Sequence, residues 1–320
     1  VPNIDLFIQL HVTKEAVVSS RIEGTQTQID EALLSEEEVS PERRSDWREV
    51  NNYIKALNSA IAELTTLPIS SRLIKNTHKI LLDTVRGEHK QPGEFRTSQN
   101  WIGGNSPSDA VFVPPHHELV NELMGDLENF LHNEENNVPE LIKIAIAHYQ
   151  FETIHPFLDG NGRIGRLLIP LFLVDRKILT KPLLYLSSWF EKNKGLYYDN
   201  LTFVRTKNSM TQWLRYFLTG IAETAQKATE TLSSILELKA KQENTINRAF
   251  GRRAHSANIL LNHLFQNPVV YVRQVEAITG LSYKAANMLV SNFLENGILK
   301  EMTGQSRNRI FTFEEYLRLF

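Results

Sequence analysis

The sequence predicts a mainly α-helical protein with a short β-hairpin in its central part and a small α+β segment at its C-terminal end. Apolar residues recur at helical spacing through most of the 320 residues. Two short β-prone runs flank a cluster of Gly, Asn, Ser and Pro in the central part, and helical runs followed by a strand pair end the chain. The 42% hydrophobic content is enough for two or more domain cores.

Residues 1–69 are predicted to be helical. The first helix extends over Lys14–Glu23 and ends at Gly24, a residue that commonly terminates helices. A second, Ala32–Leu57, is interrupted at Pro41. A carboxylate in the last turn opposes the helix dipole at a cost of about 0.3–1 kcal/mol. We therefore expect Glu23 to serve a purpose other than helix stability.

Residues 70–220 form the predicted central domain, and two of its helices are almost entirely apolar, which predicts that they are buried. A helix precedes the hairpin, which lies between Gly93 and Pro115. The helices after the hairpin are His117–His132, the two apolar runs Leu141–Tyr149 and Ile164–Val174, then Trp189–Phe203 and Trp213–Leu218.

Residues 221–252 are predicted to be a linker helix that continues towards Phe250. Apolar residues recur along it at spacings of three and four, at Ala225, Ala228, Leu232 and Ile235. Packing against the rest of the chain explains this stripe, and so does a dimer seam.

Residues 253–320 have the order helix, helix, turn, helix and strand pair. The three helices and the turn are Ser256–Phe265, Val272–Thr279, Gly280–Ser282 and Tyr283–Leu294. The strand pair is divided by the polar segment Thr303–Asn308. This order predicts a compact α+β domain.

The most informative motif is HPFLDGNGRIGR, residues 155–166, which joins the two apolar helices of the central domain. Its Gly160-Asn161-Gly162 step is a tight loop at a helix N-terminus. Unpaired N–H groups and the helix dipole attract an anion there, and glycines let phosphates approach the backbone.

The charged residues of this motif fit polyphosphate chemistry. Arg163 and Arg166 are three apart and can place two guanidinium groups against adjacent phosphates. Asp159 offers a hard oxygen ligand for Mg²⁺. His155 has the ordinary pKa range of a general base. A simpler interpretation is a helical corner whose Asp and Asn cap the second helix, but a cap needs only one of these residues.

The motif resembles the signature HxFx(D/E)GNGRxxR of the Fic (filamentation induced by cAMP) family at every fixed position. The resemblance implies a Fic-type helical core and a protein adenylyltransferase, which moves AMP from ATP to a Ser, Thr or Tyr hydroxyl. It implies that His155 is the base, that Asp159 binds Mg²⁺ (or Mn²⁺), and that the following loop cradles the phosphates. The cradle residues would be Gly160, Asn161 and Gly162, with Arg163 on the β-phosphate and Arg166 on the γ-phosphate.

A second motif, Ser19 to Gly24, resembles the (S/T)xxxE(G/N) inhibitory motif of Fic proteins. The family resemblance implies that Glu23 pairs with Arg166 and occupies the place of the ATP γ-phosphate. Ser19 and Glu23 are four apart and share one helix face. In some family members this Glu also helps to remove AMP, so removal is a further implied activity. The simpler alternative is an ordinary surface Glu beside a Gly cap.

Two further segments are similar to those of Fic proteins. The hairpin region starts with a PGEFR-like sequence, and in the family this flap positions the target segment, which fits strand addition. Tyr197-Tyr198 resembles the family's YYxxL segment, which implies that Tyr198 lines the nucleoside pocket. Aromatic residues at helical spacing are also typical of a core.

The C-terminal segment resembles a winged-helix domain, which implies a DNA-binding, protein-docking or dimerisation role. The basic and polar candidates for DNA contact form a thin set, namely Arg273, Lys284, Asn287, Arg307 and Arg309. The net charge of −2 gives no general attraction to nucleic acid.

Composition excludes several classes of protein. The chain has no Cys, so neither a disulfide scaffold nor thiolate chemistry is available. We find no signal peptide and no apolar run long enough to span a membrane, so a cytoplasmic location without membrane attachment is expected. The first residue is Val1 rather than Met, so part of the native N-terminus is expected to be missing.

Two hypotheses follow. The first is an autoinhibited protein adenylyltransferase that also modifies itself and carries a winged-helix accessory domain. The second is a winged-helix DNA-binding regulator whose Fic core mainly senses nucleotide. The intact His155 and Asp159 favour the first, because sensing alone needs no base.

Overall fold

The computed structural model describes residues 5–83, 85, 89–304 and 309–320, with side chains from residue 7 onward. The helices are α1 (Asp5–Ile22), α2 (Ile29–Ala32), α3 (Arg44–Glu63), α4 (Ser71–Leu81), α5 (Val120–His132), α6 (Glu140–Ile154), α7 (Asn161–Asp175), α8 (Ser187–Lys192), α9 (Lys194–Lys207), α10 (Met210–Ala249), α11 (Ala254–Gln266), α12 (Val272–Thr279), α13 (Tyr283–Glu295) and α14 (Glu314–Leu317). The strands are β1 (Val269–Tyr271), β2 (Lys300–Glu301) and β3 (Ile310–Thr312).

The chain forms two compact units. The central unit consists of residues Glu15–Thr27 and Val39–Ala225. The C-terminal unit consists of the described residues up to Lys14, Gln28–Glu38 and Gln226–Phe320. Helices α1 and α10 each contribute residues to both units. None of the helices in the described ranges combines the length and the apolar character needed to cross a bilayer.

The core of the central unit surrounds α6 and α7, as the two apolar runs predict. All but three of the residues of α7 are buried, and α6 is apolar on most of its circumference. The first part of α10 packs against α6, where buried Trp213 donates from its indole N–H to the Ala145 carbonyl at 2.9 Å. The two helices that frame the predicted loop therefore lie in the best-packed part of this unit.

The predicted hairpin is shorter than expected. The chain between Gly93 and Pro115 turns back on itself, but only Ile102 and Phe112 form an antiparallel bridge. The prolines at the end of the segment have no N–H to donate to a ladder. The Pro114 and Pro115 carbonyls accept hydrogen bonds from the side chains of Gln99 and Arg96 instead.

Two other predicted boundaries were wrong. The break predicted at Pro41 is present, but before it the segment Ala32–Leu57 contains only the end of the short α2 and a 3₁₀ turn, and α3 begins at Arg44 after a second 3₁₀ turn that starts at Pro41. The two helices expected on either side of Gly220 are one helix of 40 residues, α10. Gly220 lacks a Cβ where the Trp189 ring packs, so this glycine permits close packing rather than ending the helix.

The C-terminal unit contains the predicted three helices and strand pair, and in addition the strand β1 between α11 and α12 and the short helix α14 after β3. Helices α12 and α13 are joined by Gly280, which adopts a left-handed conformation at φ 68°. A three-stranded antiparallel sheet has the order β1-β3-β2, and Val270 pairs with Phe311 in its centre. The core of this unit includes Phe7 and Leu10 from the first half of α1. Arg307 lies outside the described residues.

Candidate active site

The predicted phosphate loop joins α6 and α7. Helix α6 ends at Ile154, and His155 then takes a left-handed conformation with φ 51° that turns the chain out of the helix. Gly160, at φ 75°, precedes the first residue of α7. The first N–H groups of a helix have no carbonyl partner within it. The loop therefore brings the His155 ring and an anion-binding helix end into one short segment.

The side chain of Asn161 fixes the shape of the loop. Its Oδ1 accepts the Phe157 N–H at 2.8 Å, and its Nδ2 donates to the Phe157 carbonyl at 2.8 Å. Asn161 is buried. The side-chain amide therefore bridges the N–H and the carbonyl of Phe157, and the backbone N–H of Asn161 lies at the start of α7.

A buried arginine that the sequence analysis did not single out holds the start of the loop. The Arg96 Nε donates to the His155 carbonyl at 3.0 Å, and its Nη2 donates to the carbonyls of Ile154 at 3.3 Å and Pro115 at 2.5 Å. These bonds satisfy carbonyls at the end of α6, which the helix itself leaves unpaired. The available sequence signal was its place in the PGEFR-like segment.

The His155 ring is held in its neutral form. Burial lowers the pKa of His155 to about 4, and the positive charge of Arg205 acts in the same direction. A neutral imidazole has one nitrogen that can accept a proton. The state that a general base requires is therefore the state present at neutral pH.

Arg166, on α7, contacts the helix that carries the predicted inhibitory motif. Its Nε donates to the Ser19 hydroxyl at 2.9 Å, and its Nη2 donates to the Ser19 carbonyl at 2.9 Å. The same Nη2 lies 2.6 Å from Glu23 Oε1. Burial acts in the opposite direction, but the Arg166 guanidinium holds the pKa of Glu23 below its ordinary value. The pair is therefore ionised at neutral pH.

The Glu23 carboxylate lies against the first turn of α7. A Cβ added at Gly162 would overlap Glu23 Oε1 and would lie 2.9 Å from Arg166 Nη1. Gly24 follows at φ 109°, and its N–H donates to the Arg21 carbonyl at 3.0 Å, which turns the chain away. A carboxylate of this chain thus lies beside Gly162 and Arg166 at the start of α7.

A buried acid, Glu15, anchors the same face of α1 one turn before Ser19. Its Oε1 accepts hydrogen bonds from the Tyr53 hydroxyl at 2.9 Å and the Ser187 hydroxyl at 2.5 Å. Burial raises the pKa of Glu15 to about 7, although these two hydrogen bonds oppose the shift. The sequence analysis missed Glu15. Its position four residues before Ser19, on the same helix face, could have indicated it.

Comparison with known proteins agrees with this geometry. The model of the Fic/DOC family matches residues 68–173, and that of the Fic/DOC family N-terminal region matches residues 1–62. Together the two matches cover more than half of the chain.

The chain belongs to the Fic/DOC family.

The most similar relatives include proteins named protein adenylyltransferase. One from Drosophila grimshawi is 34% identical over 122 residues, which is 38% of this chain and 23% of that protein. A probable protein adenylyltransferase from Aquifex aeolicus is 29% identical over 176 residues, 55% of this chain and 52% of that protein. The matched region thus spans about a quarter to a half of these relatives' own length.

Solved structures show the same Fic fold. A Fic family protein from Desulfovibrio desulfuricans G20 superposes with a TM-score of 0.59 at 20% identity, covering 98% of this chain and 88% of that one. A Fic domain containing signaling protein from Bacteroides thetaiotaomicron has a TM-score of 0.56 at 21% identity, covering 69% of this chain and 85% of that one.

In this Fic loop the two remaining charged residues lie beside each other. Arg163 Nη1 contacts Glu49 Oε2 of α3 at 3.1 Å, and both side chains are buried. Arg163 Nη2 is 3.8 Å from Asp159 Oδ1, and the Asp159 side chain is 45% exposed. Glu49 was missed by the sequence analysis, because its partner is more than a hundred residues away.

The two adjacent tyrosines of the Fic core have different environments. Tyr197 is buried, and its hydroxyl lies 2.9 Å from His148 Nε2. Tyr198 is 42% exposed. Burial raises the pKa of Tyr198 to about 12, and the negative charge of Glu23 adds to the shift. Tyr197 is therefore a core residue, whereas Tyr198 is partly exposed to solvent.

Proposed function

We propose that this Fic protein is an autoinhibited protein adenylyltransferase, which moves AMP from ATP to a Ser, Thr or Tyr hydroxyl of a protein. The observation that carries the proposal is the neutral His155 imidazole on the same loop as the α7 N-terminus. The names of the relatives, which include protein adenylyltransferase, support it.

In the proposed reaction, ATP lies with its phosphates at the α7 N-terminus. The N–H groups of Asn161 and Gly162 would bind the α- and β-phosphates, and the Gly160 N–H would join them when the Asp159 carboxylate, which accepts it at 2.6 Å, turns to the cation. The target hydroxyl gives its proton to His155 as its oxygen forms a bond with the α-phosphorus. The bond from the α-phosphorus to the bridging oxygen breaks, and pyrophosphate leaves with that electron pair.

Asp159 suits a divalent cation, Mg²⁺ or Mn²⁺. Its carboxylate is a hard oxygen donor that is half exposed at the mouth of the loop, with one oxygen accepting the Gly160 N–H at 2.6 Å. When bound, the cation would neutralise phosphate charge in the leaving group. Arg163 and Arg166 would hold the β- and γ-phosphates.

Inhibition in this proposal follows from Glu23. Arg166 cannot bind the γ-phosphate while it is paired with Glu23, and the two anions would occupy the same region. Displacement of Glu23 would release Arg166. Glu23 could also orient a water molecule for removal of AMP from a modified protein.

Other contacts are assigned within the same proposal. Tyr198 would line the nucleoside pocket, because it is exposed near Glu23. The segment around the Ile102 and Phe112 bridge would position the target by strand addition. The protein itself is one expected target. We also propose a cytoplasmic location.

The proposed functional division is 1–69 for the inhibitory region, 70–220 for catalysis, 221–252 for the linker and 253–320 for the winged-helix domain. Helix α13 exposes two large apolar side chains, Tyr283 and Met288, which are 54% and 41% exposed. For this domain we propose protein docking, including a homodimer, in preference to DNA contact. Arg309 is paired with Glu301 at 2.5 Å, which leaves even fewer basic groups for phosphates.

The test of the proposal uses the Glu23→Gly protein with ATP labelled in its α-phosphate, a cell lysate and either Mg²⁺ or Mn²⁺. Label on the protein itself and on lysate proteins is expected, with mass spectrometry identifying the modified residues. The Glu23→Gly, His155→Ala double variant is the control and should transfer none. Absence of transfer by Glu23→Gly, together with selective duplex DNA binding at physiological salt, would favour the regulator hypothesis.

A further inference from the structure

A buried histidine on α4, His78, contacts the loop between α6 and α7. Its ring has no exposed surface. The Gly93 N–H donates to His78 Nδ1 at 2.9 Å, and His78 Nε2 lies 3.0 Å from the Asp159 carbonyl oxygen. A backbone N–H can only donate, so Nδ1 carries no proton. Nε2 therefore carries the proton and donates it to Asp159.

The same ring packs against two more residues of the loop. It stacks on Phe157 with ring centroids 3.7 Å apart and planes within 6°. A Cβ added at Gly160 would lie 3.4 Å from His78 Nε2, so the ring fills the space beside the residue that starts the anion-binding turn. His78 thus contacts Phe157 and Asp159 directly and lines the loop next to Gly160.

The contacts of His78 complement those of Arg96. Arg96 binds the carbonyls of Ile154 and His155 at the beginning of the loop. His78 binds the Asp159 carbonyl near the end of the loop. The same ring accepts the Gly93 N–H, and Gly93 lies three residues before Arg96. The Gly93 N–H and the Asp159 carbonyl oxygen together select one tautomer of the His78 ring.

We propose that His78 is a positioning residue of the nucleotide site: its Nε2–H fixes the Asp159 carbonyl, and so holds the peptide between Asp159 and Gly160, which sets where the Asp159 carboxylate and the Gly160 N–H lie when the cation and the phosphates bind. The role rests on the proposed function. His78 does not contact the His155 ring, so its loss should weaken binding of Mg²⁺ and ATP without moving the pKa of the base.

Three variants in the Glu23→Gly background separate the contacts of His78. His78→Gln places an amide donor near the Nε2 position, and His78→Asn keeps an acceptor near the Nδ1 position. His78→Phe keeps the stacking on Phe157 but has neither hydrogen bond. Thr77→Val is the matched control, because the Thr77 hydroxyl bonds only within α4, to the Leu73 carbonyl at 2.8 Å.

The first measurement needs no nucleotide. Hydrogen exchange of the peptide that contains Gly160 should become about tenfold faster in His78→Phe and His78→Asn, since one buried hydrogen bond is lost. It should stay near the parent rate in His78→Gln and Thr77→Val. Equal exchange in His78→Gln and His78→Phe would overturn the proposal.

The second measurement is the dissociation constant of Mg·ATP, with the Mg²⁺ concentration at half-maximal transfer. We expect both to rise about tenfold in His78→Phe and His78→Asn and less than threefold in His78→Gln. The acidic limb of the pH profile should stay in place. If the changes in Mg·ATP binding merely followed the melting temperatures of the variants, with Thr77→Val on the same trend, a positioning role would be refuted. If the parent variant transfers no AMP, the proposed function fails, and hydrogen exchange still decides on His78.

Discussion

Glu23→Gly should raise the affinity for Mg·ATP by about tenfold or somewhat more. In the wild type, ATP must displace the carboxylate that lies 2.6 Å from Arg166 Nη2. A hydrogen bond between charged groups contributes about 1.5–3 kcal/mol, which corresponds to about 10- to 150-fold in a binding constant. The Glu23 side chain is 36% exposed, so solvent weakens the pair and the lower end of this range applies.

Isothermal titration with Mg·ATP, followed by the initial rate of self-modification, measures this change. Both should increase in Glu23→Gly. The matched control is Arg21→Gln. Arg21 lies at the same end of α1 as Glu23, and its substitution removes the 2.6 Å ion pair with Glu191 of α8 but leaves Arg166 unchanged. An ATP dissociation constant within twofold of wild type in Glu23→Gly would refute the reasoning. An equal gain in Arg21→Gln would show that loosening α1, and not the carboxylate, controls binding.

Four further outcomes are expected, the first two in the inhibition-relieved variant. His155→Ala should reduce AMP transfer by about 10²–10⁴-fold while the ATP dissociation constant changes little, and near-normal transfer would exclude it as the base. As the pH is lowered, kcat/KM should stay level until the pH approaches about 4, because only the neutral His155 ring accepts a proton. The acidic limb of the kcat profile should lie at a higher pH than that of kcat/KM, since bound phosphates raise the pKa of His155. Glu49→Ala should lower the free energy of unfolding in urea by about 3–5 kcal/mol, because it leaves the buried Arg163 guanidinium without this partner; a loss below about 1 kcal/mol would contradict the pairing. Gly165→Ala should cost about 1–3 kcal/mol, since the new methyl would overlap buried Glu152, whereas the same change at Gly125, which has open space around it, should be neutral or stabilising.

Much of the site could be predicted because its residues are close together in the sequence. The loop from His155 to Arg166 is one continuous motif, and the apolar runs on either side predict the helices that carry it. The contact between Glu23 and Arg166 joins distant segments, and only the resemblance to a known inhibitory motif made it predictable.

The partners of buried polar groups could not be predicted in the same way. Arg96, His78 and Glu49 each contact the loop from a different helix or turn, so no local pattern identifies them. Their roles depend on which carbonyl or charge the tertiary packing leaves without a partner. The hairpin was overestimated for a related reason, since side chains bind the carbonyls that a ladder would have used.

The left-handed backbone conformation of His155 lowers the stability of the folded chain at the position that supplies the imidazole. A side chain at φ 51° costs roughly 1–2 kcal/mol relative to glycine, which adopts this conformation without penalty. Selection for thermal stability alone would therefore favour Gly at residue 155, and that change would remove the imidazole. A stabilised version of this protein should gain its stability elsewhere, for example at the exposed positions of the long helix α10, and should keep the unfavourable residue where it is.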